Sequence, residues 1–181
     1  MIADSTMKLI PAALDLVDEV RSALIESYPL HSQFLLWPKP EPTQQEVFSN
    51  MALAVNNIQH NQNELRYFIK RNSDGKLLGC IGLIVRDLEV PFYELGYWVR
   101  ESEQGKGYVT TAVRLLEQHA VKNFSARRME IQAAETNTAS RRVAQKAGYT
   151  LEAIIQCNRH LPGGRLDNTC IYSKLFGPAV G

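Results

Sequence analysis

The sequence has almost no excess of either charge: 20 Lys and Arg against 19 Asp and Glu residues give a formal net charge of +1 at pH 7. A near-neutral chain has no broad electrostatic field for nucleic acid or an anionic membrane, so we expect neither as a partner. It also lacks a run approaching the ~20 apolar residues of a membrane span, and its N-terminus lacks a basic leader before an apolar segment. These absences predict a cytoplasmic protein in which any anion-binding site is local.

Cysteine is scarce, with only Cys80, Cys157 and Cys170, far apart in the chain. This spacing excludes a metal knuckle, and an odd count argues against a disulfide framework, so we expect no metal and three reduced core thiols. Two glycine-rich signatures are absent as well: G-x-x-x-x-G-K-[ST], and G-x-G-x-x-G opening a parallel strand-helix-strand unit. Mononucleotide hydrolysis and dinucleotide redox chemistry are therefore disfavoured.

The 181 residues are 45% hydrophobic and 22% charged, without a repeat or a low-complexity tract. This size and composition predict one globular domain over residues 1–181. Three prolines in Trp37–Thr43 forbid regular structure there and separate two helical patterns, about Pro11–Glu26 and about Gln44–Gln59. We expect both helices to cover one side of a sheet.

Alternating apolar residues and short turns then predict an antiparallel meander of three strands, followed by a helix, a strand, a short helix and a terminal hairpin around "PGGR". The short helix is expected to open at Thr136 or Asn137 and to close at Gly148. The predicted ranges are Glu64–Arg71, Lys76–Asp87 and Phe92–Arg100 for the meander, about Lys106–Lys122 for the helix, Arg127–Ala134 for the strand, and Thr150–Leu161 with Leu166–Phe176 for the hairpin.

The segment "EQGKGYV" joins the third meander strand to the helix. Gly105 and Gly107 allow backbone amides to approach a ligand closely, and the helix directs its N-terminal N–H groups and positive dipole end to the same place. This pattern predicts a phosphate site, to which Lys106 adds a cation and Arg100 or Arg142 contributes another if the fold brings it near. A strand-to-helix turn that simply needs glycine explains the segment equally well.

Two polar residues are candidates for catalysis. Glu94 shares one face of its strand with Gly96 and Trp98, and a carboxylate beside a small residue and an aromatic ring is a candidate base. Ser140 is the polar member of the stripe that also contains Val143 and two alanines, so its hydroxyl is expected to face the sheet. The alternatives are a solvated strand-edge carboxylate and a serine that bonds a local backbone group.

Three motifs in order, "ELGYWV", "QGKGYV" and, about thirty residues later, "NTASRRVAQKAGY", resemble the GNAT acetyltransferase superfamily. Its RimJ/RimL branch of ribosomal-protein N-terminal acetyltransferases is the most similar, and the resemblance covers about Glu64–Phe176. It implies an α+β fold with a mixed, mostly antiparallel central sheet flanked by helices on both faces. It also implies acetyl-CoA as cosubstrate, without a metal.

The phosphate loop of the superfamily has the form Q/R-x-x-G-x-G/A, which Gln104 and Gly107 match, while Val109 stands where a small residue is usual. By this resemblance the loop holds the pyrophosphate of acetyl-CoA, and the pantetheine arm runs between two strands where they splay apart. The residues that the resemblance assigns to the coenzyme are Trp98, Val99, Arg100, Gln104, Gly105, Lys106, Gly107, Tyr108, Val109, Asn137 and Arg142.

The resemblance also implies the catalytic roles. Many members carry a tyrosine seven residues after the asparagine, where this chain has Ala144, whereas the RimJ/RimL branch carries a serine three residues after it, which is Ser140. Accordingly Asn137 holds the coenzyme or thiol region, Ser140 protonates the departing thiolate, and Glu94 accepts the amine proton through water. Unpaired N–H groups in the stretch 98–100 are candidate donors to the oxyanion.

The acceptor implied by the RimJ/RimL resemblance is a protein or peptide N-terminus, such as that of a ribosomal protein, which attacks acetyl-CoA directly in a ternary complex. Its α-amine has a reference pKa of about 7.7–8, against about 10.4 for a lysine side chain. A carboxylate base can therefore deprotonate the α-amine more readily than the lysine amine. Tyr93, Tyr97 and Trp98 are expected to crowd the site and favour small residues such as Ala or Ser. A small amine (polyamine, amino acid or aminoglycoside), a non-catalytic acyl-CoA-binding module and a homodimer remain open.

Other residues are interpreted more simply. His31, His60 and His119 are expected to be non-catalytic. If "PGGR" centres the last hairpin symmetrically, His160 faces Asp167, and Cys157 faces Cys170, as ordinary cross-strand contacts. The apolar residues Phe34, Leu35 and Trp37 beside the prolines form either an acceptor wall or a hydrophobic clasp between helices.

Overall fold

The computed structural model describes residues 2–177, and an eight-stranded sheet with helices on both faces lies at its centre. The strands are β1 (Ile2–Ala3), β2 (Met7–Pro11), β3 (Glu64–Arg71), β4 (Leu77–Asp87), β5 (Phe92–Val99), β6 (Arg128–Ala134), β7 (Thr150–His160) and β8 (Leu166–Leu175). The helices are α1 (Val17–Glu26), α2 (Tyr28–His31), α3 (Gln44–His60), α4 (Tyr108–Phe124) and α5 (Thr138–Lys146). None of the helices in this part of the chain combines the length and apolarity that a membrane crossing requires.

The strand order is β1-β2-β3-β4-β5-β6-β8-β7, and every neighbouring pair is antiparallel except β5 and β6. These two parallel strands pair over three residues only, from Phe92 opposite Arg128 to Glu94 opposite Glu130. Beyond Glu94, β5 continues along β4 while β6 continues along β8. A gap therefore opens in the middle of the sheet.

Two hydrophobic clusters fix the helices on opposite faces. On one face, Leu95 of β5 and Ile131 of β6 pack with Val113 and Leu116 of α4 and with Ala144 of α5. On the other face, a second cluster joins α1 and α3 to β3 and β4, through Val20, Met51, Phe68, Leu77 and Cys80. This arrangement confirms the predicted α+β fold with helices on both faces.

The N-terminal prediction was wrong in its first element. The helix predicted from Pro11 begins at Val17, after a 3-10 turn at Leu14–Leu16, and Pro11 ends β2 instead. Met7 and Leu9 are buried on either side of an exposed Lys8, and β2 pairs with β3. A five-residue strand gives a weak sequence pattern, and its partner lies more than fifty residues away in the chain.

Most other elements agree with their predicted ranges. Thr43 caps α3, since its hydroxyl accepts the N–H of Glu46 while the Glu46 carboxylate accepts the N–H of Thr43. The helix predicted from Lys106 begins two residues later, because Gly105 and Gly107 have φ angles of 73° and 83° that end the preceding turn. Asn137 caps α5.

The register predicted for the terminal hairpin was wrong. The strands slip between Ile155 and Arg159, where Cys157 has a φ of 51°, so Arg159 rather than His160 lies opposite Asp167. Cys170 lies opposite Ile154 and is buried, while Cys157 is exposed. Neither the His–Asp pair nor the cysteine pair exists, and Cys157 is not a core thiol, because a bulge shifts one strand against the other.

Candidate active site

A cavity of about 910 Å³ occupies the gap between β5 and β6. Its wall comes from both strands, from the glycine loop, from one face each of α4 and α5, and from the α2 segment, which we define as residues 30–35. Of the predicted site residues, Glu94, Trp98, Val99, Gln104, Gly105, Gly107, Tyr108, Val109, Asn137, Ser140 and Arg142 line it. The fold thus brings together most of the residues that the sequence singles out.

The cavity passes through the sheet and has two sides. Successive side chains of a strand point to opposite faces, so Tyr97 projects toward α5 while Glu94 and Trp98 project toward the opposite face. Contacts agree with this alternation, because Tyr97 bonds Ser140 whereas Trp98 packs with the cluster of α1 and α3. We call these the α5 side and the Glu94 side.

The glycine loop forms the α5 side of the entrance. A Cβ atom added to Gly105 or Gly107 would meet nothing within 4 Å, so both residues present an open backbone surface. The first N–H groups of α4 follow directly, and they have no acceptor within the helix. This is the geometry of an anion site, with amides and the positive end of a helix dipole directed to one place.

A buried carboxylate supports this loop from behind. Glu103 accepts from Lys76 and Lys106 at 2.8 Å each, and from Arg71 at 3.4 Å. Hydrogen bonds from Lys106 and Lys76 lower the pKa of Glu103 to about 2. Lys106 also donates to the carbonyl of Ser102, at 3.0 Å, and lies outside the cavity lining. The Lys106 ammonium therefore holds the loop, and its predicted contact with the coenzyme stays a prediction.

Arg100 was also predicted to bind the coenzyme, but the structure places its side chain outside the cavity lining. Its guanidinium is buried on the Glu94 side of the sheet, where Nε donates to the carbonyl of Leu77 at 2.7 Å and Nη1 pairs with Glu26. Its N–H bonds the carbonyl of Leu78 at 2.8 Å, so it is not free for an oxyanion. Because backbone groups alternate along a strand, the N–H groups of Tyr97 and Val99 face the gap instead.

Three cations line the α5 side. Arg142 is there as predicted, and Arg114 and Lys146 accompany it. No carboxylate of residues 2–177 lies within 4 Å of any of these three cations. The sequence does not predict Arg114, but Lys146 follows Arg142 by four residues, a spacing that places both on one helix face.

Ser140 forms a hydrogen-bonded pair with Tyr97. The two hydroxyl oxygens are 2.9 Å apart, and the Tyr97 hydroxyl also lies 3.2 Å from the carbonyl of Ser140. Burial raises the pKa of Tyr97 to about 12, so its proton stays in place at neutral pH. Asn137 Oδ1 accepts the Ser140 N–H at 3.0 Å, which fixes the first turn of α5. The hydroxyl of Ser140 is thereby oriented within the cavity wall.

Glu94 has an arginine partner that the sequence does not single out. Arg86 on β4 donates from Nε and Nη2 to Oε2 of Glu94, at 3.0 and 2.5 Å. The other oxygen, Oε1, has no hydrogen-bond partner among the described residues. Ile84 lies opposite Glu94, so Arg86 is a diagonal cross-strand neighbour of Glu94. The antiparallel pairing of these two strands that the sequence predicts is therefore enough to bring the two side chains together. One oxygen is held and the other is free to accept a proton.

The α2 segment closes the Glu94 side. His31 lies in the cavity wall, its Nε2 is 3.0 Å from the carbonyl of Val99, and its ring packs against Trp98. Burial lowers the pKa of His31, which favours the neutral ring that donates from Nε2. Phe34 and Leu35 also line the cavity, in agreement with the acceptor-wall alternative, whereas Trp37 is exposed.

The predicted aromatic crowding of the acceptor needs correction. Tyr93 is buried in the core beneath α4, outside the cavity lining, and Tyr97 lies on the α5 side. Of the three aromatic residues only Trp98 lies on the Glu94 side, because side chains along β5 alternate between the two faces. Crowding on that side comes instead from Phe34 and Leu35.

A parallel strand pair that splays around a cavity, with an anion-binding loop on one side and a carboxylate on the other, defines the class of acyltransferases that use coenzyme A thioesters. The family model described as "Acetyltransferase (GNAT) domain" matches residues 8–150. The chain therefore belongs to the GNAT acetyltransferase family, and the resemblance noted in its motifs is confirmed.

Known proteins similar to the chain are acetyltransferases. The probable N-acetyltransferase YjcK of Bacillus subtilis is 34% identical over 103 residues, 55% of this chain and 56% of that protein, so the match spans little more than half of YjcK. The ribosomal-protein-serine acetyltransferase of Escherichia coli is 27% identical over 148 residues, 80% of this chain and 78% of that protein. The microcin C7 self-immunity acetyltransferase MccE, solved with acetyl-CoA and AMP, has a TM-score of 0.87 at 25% identity, covering 96% of this chain and 94% of its own.

We predict that Glu103→Gln destabilises the protein in a pH-dependent way. The change leaves Lys76, Lys106 and Arg71 without their shared carboxylate, at a cost of about 1–3 kcal/mol in the free energy of unfolding. Because the folded-state pKa is depressed from 4.5 to about 2, this stabilisation is fully present above pH ~4.5 and is lost as the pH falls toward 2. Urea unfolding of both proteins between pH 7 and pH 2.5 measures the difference.

The matched control is Glu101→Gln, which removes an exposed carboxylate of the same turn that has no salt bridge within residues 2–177. It should leave the unfolding midpoint nearly unchanged. A Glu103→Gln deficit that stays constant down to pH 2.5 would contradict the role of the ionised carboxylate.

We predict that Gly107→Val weakens acetyl-CoA binding by at least about tenfold, because the side chain would fill the space in front of the loop amides. The φ of 83° costs a non-glycine residue about 1–2 kcal/mol, so the melting temperature should fall by a few degrees only. Gly75→Val is the control, since Gly75 has a φ of 70°, has equally open space and lies in the turn between β3 and β4. Equal coenzyme affinities of the two variants by calorimetry would refute the placement.

Proposed function

We propose that the protein transfers the acetyl group of acetyl-CoA to the α-amine of a peptide or protein N-terminus. The observation that carries this proposal is the cavity that passes through the sheet, with Ser140 and the glycine loop on one side and the free oxygen of Glu94 on the other. Two reactants can approach from opposite faces and meet in the gap. No thiol is available for a covalent relay, since none of the three cysteines lines the cavity.

The coenzyme occupies the α5 side in this proposal. Amides from Gln104 to Val109 bind the pyrophosphate, and Arg142, with Arg114 and Lys146, provides positive charge for the phosphate groups. The pantetheine arm enters the gap along Tyr97 to Val99, where backbone groups of β5 lack a strand partner. Trp98 and Asn137 border the thioester region from opposite sides.

The reaction is a direct aminolysis. The amine nitrogen bonds the carbonyl carbon, the carbon–sulfur bond breaks, and the sulfur leaves as thiolate. Glu94 Oε1 accepts the proton lost by the amine, directly or through one water, while Arg86 holds the other carboxylate oxygen. Ser140 donates a hydrogen bond and then a proton to the thiolate and regains a proton from solvent, to which Glu94 releases the amine proton, while the Tyr97 hydroxyl at 2.9 Å keeps its own proton and orients the Ser140 hydroxyl. The N–H groups of Tyr97 and Val99 face the developing oxyanion.

The α-amine is preferred because the only base in this proposal is a carboxylate. An N-terminal amine is partly neutral near pH 7.5, whereas a lysine side chain is almost fully protonated. The ribosomal-protein-serine acetyltransferase of E. coli, by its name, acts on such a protein substrate, and it aligns with four fifths of this chain. Two other functions would replace this assignment: acetylation of a small amine, and binding of the coenzyme without catalysis.

We predict that Glu94 and Ser140 separate kinetically. Glu94→Gln should lower kcat/KM about 10²-fold or more at pH 7, and this deficit should shrink by pH 9.5, where the amine is already neutral. Ser140→Ala should lower kcat by a similar factor at every pH, with acetyl-CoA affinity retained, and Tyr97→Phe should lower it about tenfold. Initial rates of thiol release give these values.

Glu89→Gln, an exposed carboxylate in the turn before β5, serves as the control and should behave as wild type. Wild-type turnover in Glu94→Gln or Ser140→Ala would remove that residue from the mechanism. Coenzyme binding without thiol release for any amine would favour the non-catalytic module.

We predict that peptides with a free N-terminal Ala or Ser are better acceptors than the same peptides blocked at the N-terminus and carrying an internal lysine. The ratio of kcat/KM should exceed about 10² at pH 7.5, which is the difference in the neutral fraction of the two amines. Mass spectrometry of competition mixtures measures it, with spermidine and an aminoglycoside as further competitors. Faster acetylation of either small amine would overturn the N-terminal assignment but leave the acetyltransferase assignment intact.

A further inference from the structure

One arginine on the Glu94 side of the cavity has no part in the chemistry above. Arg159, near the end of β7, lines the same cavity as Glu94 and Phe34. Its Nε donates to the hydroxyl of Thr169 at 3.2 Å. Thr169 is buried on the face opposite Cys170, which belongs to the core beneath α5, so the contact lies on the Glu94 side of the sheet. Arg159 therefore borders the space left for the acceptor.

Arg159 faces an acidic residue across the hairpin but is not neutralised by it. The register slip between Ile155 and Arg159 places Arg159 opposite Asp167. The Asp167 carboxylate is directed elsewhere, accepting from the hydroxyl and the N–H of Thr136 at 2.5 and 3.2 Å. No carboxylate in residues 2–177 lies within 4 Å of the Arg159 guanidinium.

The other charges on this side are balanced. Arg86 pairs with Glu94, and Arg128 pairs with Glu130 and Glu152. The three remaining cations of the cavity lie on the α5 side, where the coenzyme phosphates are proposed to bind. Arg159 is therefore the one cation beside the acceptor space that has no carboxylate partner within residues 2–177. Its two terminal nitrogens also have no hydrogen-bond partner among the described residues.

We infer that Arg159 binds a carboxylate of the acceptor, so that the protein favours N-termini followed closely by Asp or Glu. This inference rests on the proposed function. A guanidinium held at Nε by Thr169 still presents both terminal nitrogens, and its planar fork matches the two oxygens of a carboxylate. A cation beside the acceptor also disfavours the protonated form of a nearby amine, which assists the loss of a proton to Glu94.

The same charge selects against other acceptors. Polyamines and lysine-rich N-termini bring positive charge to a side of the cavity that already has an uncompensated cation, and like charges repel strongly where water is partly excluded. The apolar residues Leu30, Phe34 and Leu35 line the cavity as well, and they provide contact area for a peptide main chain beyond its first residue. A short acidic peptide therefore fits this side better than a polycation.

The test compares three peptides that begin Ala-Asp, Ala-Asn and Ala-Lys and are otherwise identical. For the wild-type protein, kcat/KM should be about tenfold higher for Ala-Asp than for Ala-Asn, as expected of a charge-assisted hydrogen bond, and lowest for Ala-Lys. Arg159→Gln should reduce the Asp-to-Asn ratio to below about twofold, and Arg159→Glu should make Ala-Lys the best of the three.

Arg165→Gln is the matched control, because Arg165 is an exposed arginine of the same hairpin and does not line the cavity. It removes the same charge from the protein and should keep the full preference for Ala-Asp. Acetyl-CoA affinity by calorimetry and the melting temperature should be unchanged in the Arg159 variants, which separates loss of acceptor recognition from loss of fold.

The outcomes distinguish this inference from the function on which it rests. Peptide acetylation without an Asp preference, or a preference that persists in Arg159→Gln, overturns the role of Arg159 alone. Absence of peptide acetylation overturns both. Free alanine and alaninamide are included for the same reason: faster acetylation of alanine than of every peptide would mean that the carboxylate belongs to an amino acid, and would replace the peptide assignment.

Discussion

The divergence of β5 and β6 after three residue pairs is the constraint on which the site depends. Each strand keeps one partner, β4 for β5 and β8 for β6, and each is left with a row of backbone groups that face the gap. Unpaired N–H and C=O groups inside a sheet are costly unless water or a ligand satisfies them. The fold thus contains a ready binding surface for an extended, amide-bearing chain, and the reacting atoms are brought to the one place where the sheet can be crossed.

Several contacts keep the gap open. Gly79 allows β4 to approach the end of β5 closely, since a Cβ at this position would lie 2.3 Å from the carbonyl oxygen of Trp98. Arg100 anchors the same end to β4 and to Glu26 of α1, and His31 binds the carbonyl of Val99. Across the gap, the Tyr97–Ser140 pair joins β5 to α5. Groups that a sequence pattern would assign to ligand binding therefore divide into those that hold the cavity walls and those that face the ligand.

The local parts of the fold could be predicted from the sequence, and the parts set by distant contacts could not. Capping at Thr43 and Asn137, the meander from β3 to β5 and the glycine loop depend on residues within a few positions of each other. The pairing of β2 with β3 and the bulge at Cys157 depend on tertiary packing that short patterns do not record. The same limit explains the site: Glu94, Ser140 and Gly107 follow from motifs, whereas the outward turn of Arg100 toward Glu26 depends on where α1 packs.

The distribution of charge shows how a chain with a net charge of only +1 can suit a polyanionic coenzyme. Nearby acids neutralise the cations that have structural roles: the buried Glu103 holds Arg71, Lys76 and Lys106, and Glu26 holds Arg100. The cations that face the cavity, on α4, α5 and β7, are left without such partners in residues 2–177. The electrostatic field in a cleft is set by nearby uncompensated charges rather than by the net charge of the protein. A near-neutral protein can therefore still present positive potential to phosphates on one side of the sheet and to a carboxylate on the other. Whole-chain charge therefore argues only against broad, non-specific anion binding, and the position of each acid decides which arginines and lysines remain free for a ligand.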